Sequence, residues 1–123
     1  MTQERLSLGK MGEDLAVAQL RALKYRIIER NFKCALGEID IIAREKDTLV
    51  FVEVKTRRTR DFEGPAAAVN QRKQRQLSRV ALTYLNQKKL AEIPARFDVV
   101  AVELIPPVPR IEVIRNAFDL CYE

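Results

Sequence analysis

Two stretches, GEIDIIA at residues 37–43 and TLVFVEVKT at residues 48–56, constrain the fold of this chain more than any other feature. Both are almost continuously aliphatic, which is the pattern of strands covered on two faces; a strand with one wet face would alternate apolar and polar positions. The polar stretch REKDT joins them, so they read as neighbours in a hairpin. A third strand, YRIIERNFK, precedes the pair and completes a meander.

Ahead of the meander the spacing predicts a helix from about Ser7 to Lys24, with Ser7 as its N-cap. Met11, Leu15, Ala18 and Ala22 recur there at helical spacing, beside Val17, Leu20 and Leu23. The stretch RRTRDFEGP is loop-like, and Gly64 and Pro65 turn the chain into a second helix expected from about Pro65 to Lys89, with a break near Asn70. Its apolar stripe is Val69, Leu77, Val80, Ala81, Tyr84 and Leu85. RFDVVAVELI and RIEVIRNAF read as two final strands joined by PPVP, whose prolines cannot extend a ladder. The order helix, three strands, helix, two strands predicts an α/β fold with a mixed central β-sheet flanked by helices. At 123 residues and 47% hydrophobic composition, a single domain over residues 1–123 is expected, without disulfide or structural metal.

Histidine is absent, which excludes Ser-His-Asp and Cys-His catalysis and any zinc site built on imidazole. Cys34 and Cys121 match no ligand spacing and read as free thiols. A metal would therefore be held by oxygen, which favours a hard cation, Mg²⁺ or Mn²⁺ first. The net charge of +5 and the pI near 9.5 favour a polyanionic partner. No apolar run approaches the roughly 20 residues that span a bilayer, and the first residues do not read as a signal peptide, so a cytoplasmic protein with no membrane partner is expected.

Strand alternation places Leu49, Phe51, Glu53 and Lys55 on one face, and Glu38, Asp40 and Ile42 on one face of the preceding strand. A hairpin closed by Glu45 to Thr48 sets Arg44 opposite Leu49, Asp40 opposite Glu53 and Glu38 opposite Lys55. Two carboxylates facing each other across a ladder need a compensating cation, and a divalent metal between Asp40 and Glu53 supplies it. A register shifted by one residue would put the two acids on opposite faces. The competing reading is a solvated polar face with a Glu38–Lys55 ion pair; Ile42, Leu49 and Phe51 on that face argue against it. Aspartate, glutamate and lysine together suit phosphodiester hydrolysis, in which a lysine of adjustable pKa can position or deprotonate the attacking water.

Glu13 begins the stripe Ala16, Val17 and Leu20 that should face the sheet, although a first-turn glutamate is also favoured by the helix dipole alone. Asp14 points away from that stripe. Arg57, Arg58 and Arg60 follow the acidic strand, and Arg72, Lys73, Arg75 and Arg79 lie on the second helix. Such donors suit phosphate contacts, with Arg57, Arg58, Arg72 and Lys73 the nucleic-acid candidates, or simply a solvated helix face. Lys73 differs from the rest because it occupies the apolar stripe between Val69 and Leu77 and is directed toward the sheet.

GEIDIIA followed by LVFVEVKTR resembles the signature of the PD-(D/E)xK nuclease superfamily, in which an aspartate on one strand precedes Glu-x-Lys on the next. The chain is most similar to the YraN-like family of predicted endonucleases, themselves distantly similar to archaeal Holliday junction resolvases. The resemblance extends over GEDLA, the strand motifs, GPAAAV with a following lysine, RFDVVAV and the terminal NAF. It implies a restriction-endonuclease-like core, with Asp40, Glu53 and Lys55 catalytic and Glu13 the additional carboxylate of the resolvase branch. It also implies Mg²⁺ or Mn²⁺ held by Asp40, Glu53, Glu13 and the backbone carbonyl of Val54. The activity implied is Mg²⁺-dependent hydrolysis of DNA phosphodiester bonds, extending to branched or structured DNA in repair or recombination. Resolvases of this kind work as homodimers, because their substrate has two equivalent strands to cut. Gly12 and Gly37 match family positions and read as serving backbone geometry. Ile39 stands where the superfamily's name has proline, and the superfamily includes inactive members. The alternatives are therefore a catalytically inactive nucleic-acid-binding module of the same fold and an interaction protein whose acidic cluster is structural.

Overall fold

The computed structural model describes residues 3–58 and 69–120. In chain order the elements are α1 (Gln3–Ala22), β1 (Arg26–Cys34), β2 (Gly37–Glu45), β3 (Thr48–Arg57), α2 (Gln71–Gln87), β4 (Ala95–Glu103) and β5 (Arg110–Phe118). The strands form one sheet in the order β1-β2-β3-β4-β5. β3 and β4 pair in parallel while the other neighbours are antiparallel, so the crossover that carries α2 joins the central strand β3 to β4. The expected mixed α/β architecture and element order are both present.

The two faces of the sheet are covered by different helices, which explains the continuous aliphatic runs. Val50 and Val52 of β3, with Ile41, Ala43, Val100 and Val102, pack under Ala16, Val17 and Leu20 of α1. Leu49 and Phe51, with Ile42, Phe97 and Val99, pack under Leu77, Val80, Ala81, Tyr84 and Leu85 of α2. Each fully buried aliphatic or aromatic side chain contributes about 1.5–3 kcal/mol relative to exposure, so both interfaces hold their helices firmly. Gly12 lets α1 settle closely on the sheet: a Cβ there would collide with the Thr56 side chain.

The structure revises several expectations at the helix ends. Ser7 lies inside α1 and is not its cap. Met11 is 52% exposed, and Ala18 and Ala22 face outward, because the larger apolar surface of Val17 and Leu20 and the close approach at Gly12 turn the other side of the helix to the sheet. The break expected near Asn70 is the start of α2: the Asn70 side chain accepts the Lys73 backbone N–H at 2.9 Å as an N-cap. The stretch from Pro65 to Ala68 lies outside the described residues, as does Cys121; Cys34 is a free thiol. The β2–β3 turn is tighter than expected, with Glu45 paired to Thr48 and Lys46 at φ 54°, yet Arg44 still faces Leu49. Among the described residues, no helix is long and apolar enough to cross a membrane.

A buried polar network ties β4 to its surroundings. Asp98, fully buried, accepts from Tyr25 Oη at 2.7 Å, Arg96 Nε at 2.9 Å and the Asn116 backbone N–H at 2.9 Å. Arg96 and Arg115 both donate to Glu45. Burial, and then the bond to Asp98, push the Tyr25 hydroxyl up to about 12, so it stays a donor.

Candidate functional site

The β2–β3 ladder runs from Glu45 opposite Thr48 to Ile41 opposite Val52 and stops there. Continued by one step it would set Asp40 against Glu53. Instead the Asp40 carboxylate accepts the backbone N–H of Val54 at 2.8 Å, so a side chain takes over a ladder bond and the strands part. The β1–β2 pairing passes over the same level, from Arg30 opposite Ile41 to Phe32 opposite Ile39, with Asn31 between them at φ 56°. Beyond the fork, β3 keeps its pairing to β4, from Glu53 opposite Val99 to Arg57 opposite Glu103.

Asp40 and Glu53 meet at this fork. Burial, then the hydrogen bond and charge of Glu53, push the Asp40 carboxyl up to about 8. Lys73 of α2 approaches from the other side, with Nζ 3.4 Å from Glu53 Oε2.

Asp40, Val54 and Lys55 line a cleft of about 750 Å³, with Glu13, Arg30 and Asn31 on its wall. Lys55 is exposed. Glu13 is engaged: its Oε1 accepts from Arg30 Nε at 2.9 Å and from Asn31 Nδ2 at 3.0 Å. Arg30 also reaches Asp14 at 2.6 Å and holds that carboxyl below its ordinary value. Glu38 pairs with Lys33 at 3.5 Å rather than with Lys55, because Lys33 stands directly across the β1–β2 ladder. Arg57 ends β3, Arg58 is exposed just past it, and Arg72 is exposed in the first turn of α2.

Thus Asp40, Glu53 and Lys73 come together, while Glu13 and Lys55 share the cleft beside them. Among the described residues, no three acidic or cysteine side chains converge as a ready metal cage. Mg²⁺ does not require one, since it retains several waters and binds through one or two carboxylates. Two hard oxygen donors brought together in this way are of the type such a cation takes, and Val54 lies on the cleft wall beside Asp40. Arg30 and Asn31 were not identified from sequence; their one signal was an asparagine inside a strand, a residue depleted there.

The model of the uncharacterised protein family UPF0102 matches residues 12–102. A UPF0102 protein of Geobacter sulfurreducens is 56% identical over 116 residues, covering 94% of this chain and 91% of the relative. One from Geotalea uraniireducens is 55% identical over 117 residues, covering 94% and 92%. One from Syntrophus aciditrophicus is 52% identical over 122 residues, covering 99% and 95%. With the match running from Gly12 to Val102 and so spanning the fork, Glu13 and Lys73, the chain belongs to the UPF0102 family.

Proposed function

We infer that this protein is a divalent-metal-dependent endonuclease acting on DNA, with branched or structured DNA in repair or recombination as its substrate class. The observation that carries the reading is the meeting of Asp40 with Glu53 where β2 and β3 part, with Asp40 held by the Val54 N–H and lining an open cleft. Such a pair opposes folding at neutral pH, and groups with pKa values displaced in this way concentrate at functional sites.

Asp40, Glu53 and the Val54 carbonyl would hold Mg²⁺ or Mn²⁺, which when bound supplies the charge that polarises a phosphate. The Val54 N–H fixes the orientation of Asp40. Lys55, exposed on the cleft wall, would hold a phosphate oxygen or orient the attacking water. Arg57, Arg58 and Arg72 on the flanks would contact the DNA backbone, in keeping with the net charge of +5.

The test is cleavage of four-way, nicked and linear DNA with Mg²⁺ or Mn²⁺. Wild type should cut at least one substrate, and Asp40→Asn and Lys55→Ala should lose about 100-fold or more while still binding DNA in Ca²⁺. No cleavage with either metal, together with DNA binding indifferent to metal, would sink the reading. That result would favour a non-catalytic nucleic-acid-binding module, a second reading supported by the engagement of Glu13 with Arg30 and Asn31.

A further inference from the structure

We propose that Lys73 is a built-in counter-cation of the acidic pair: it occupies Glu53 until a divalent metal arrives, and is then released to a substrate phosphate. The inference rests on the metal-centre reading above and assigns a coupling between metal and DNA at that site.

Lys73 Nζ lies 3.4 Å from Glu53 Oε2. The neighbouring cations are otherwise placed: Arg30 is held by Glu13 and Asp14, Lys33 by Glu38, and Lys55 is exposed on the cleft wall. Lys73 cannot withdraw by moving its backbone, because the Asn70 cap bonds its N–H and α2 is packed on the sheet through Leu77 and Val80. Its side chain can move. The Lys73 side chain is 40% exposed where that of Glu53 is 16%, so the ammonium has a solvated path away and the carboxylate does not.

A dication entering between Asp40 and Glu53 repels a neighbouring ammonium and competes with it for the same carboxylate. Displaced, the ammonium becomes a free donor at the base of α2, close to exposed Arg72. Metal binding thereby adds a phosphate contact that the metal-free protein withholds, and by linkage DNA strengthens metal binding in return.

The experiment compares wild type, Lys73→Gln and Lys73→Arg. Mg²⁺ and Mn²⁺ are titrated calorimetrically without DNA, and a labelled four-way DNA is then titrated in EDTA and in Ca²⁺. Lys73→Gln should bind Mg²⁺ about three- to ten-fold tighter than wild type, with Lys73→Arg within about two-fold of it. Lys73→Gln should also lose more DNA affinity in Ca²⁺ than in EDTA. If wild type binds Mg²⁺ and Lys73→Gln binds it equally or more weakly, the counter-cation role is overturned and the metal centre stands. Equal loss of DNA affinity in EDTA and Ca²⁺ overturns the release step. Wild type that binds neither metal overturns the metal centre and this inference with it.

Discussion

Val54 donates its backbone N–H to the Asp40 carboxylate at 2.8 Å, at the point where the β2–β3 ladder ends. One hydrogen bond thus does two things: it satisfies an amide that the parting strands would orphan, and it aims an acid at Glu53.

The pH dependence of stability should carry the signature of this pair. Asp40 has a folded pKa raised to about 8, so its contribution to stability is full below the unfolded carboxylate value near 4 and is lost as pH rises through the folded value. In EDTA, Asp40→Asn keeps an acceptor for Val54 and removes the penalty. Urea denaturation should find it more stable than wild type at pH 8, by on the order of 2 kcal/mol, with the gap closing toward pH 4. A gap that widens toward acid would contradict the raised Asp40 value.

Metal binding should release protons. If Mg²⁺ replaces the proton between Asp40 and Glu53, titration at neutral pH in buffers of different ionisation enthalpy should report release approaching one proton per metal. Glu53→Gln should abolish both the binding and the release.

Gly12→Ala tests how closely α1 must sit. The added methyl meets the Thr56 side chain, which is part of the sheet and cannot yield freely. A loss of about 1–3 kcal/mol is expected in thermal or chemical denaturation. Thr56→Ala in the same chain should recover part of it.

Asp98→Ala leaves Arg96 and Tyr25 without their buried acceptor and should cost about 3–5 kcal/mol, against about 1–2 kcal/mol for Tyr25→Phe. Chemical denaturation of the two variants side by side would rank them; equal losses would show that the arginine contributes little.

Much of the site was legible because period-two alternation and a short turn leave few registers for residues 37–56. Arg44 opposite Leu49 follows from them, and the approach of Asp40 to Glu53 just beyond the end of the ladder follows in turn. What alternation could not show was the end of the ladder at Ile41, since a carboxylate replacing a backbone acceptor leaves no trace in hydropathy. The same limit hid the Arg30 and Asn31 hold on Glu13, which depends on a left-handed φ at Asn31. Glu38 pairs with Lys33 rather than Lys55 because β2 has a neighbour on each side, and one hairpin alone does not reveal the second. In α1 the stripe Ala16, Val17 and Leu20 does face the sheet, whereas Met11, Ala18 and Ala22, at the same helical spacing, lie on the outer side.

The fork also bears on how the chain reaches its native state. The β1–β2–β3 meander closes over short turns, so its pairing costs little loop entropy and can form early. Asp40 and Glu53 are then pressed together before α2 has delivered Lys73. Closing this end of the meander at neutral pH therefore requires Asp40 to bind a proton before Lys73 is in place, a requirement that lower pH or a divalent cation eases.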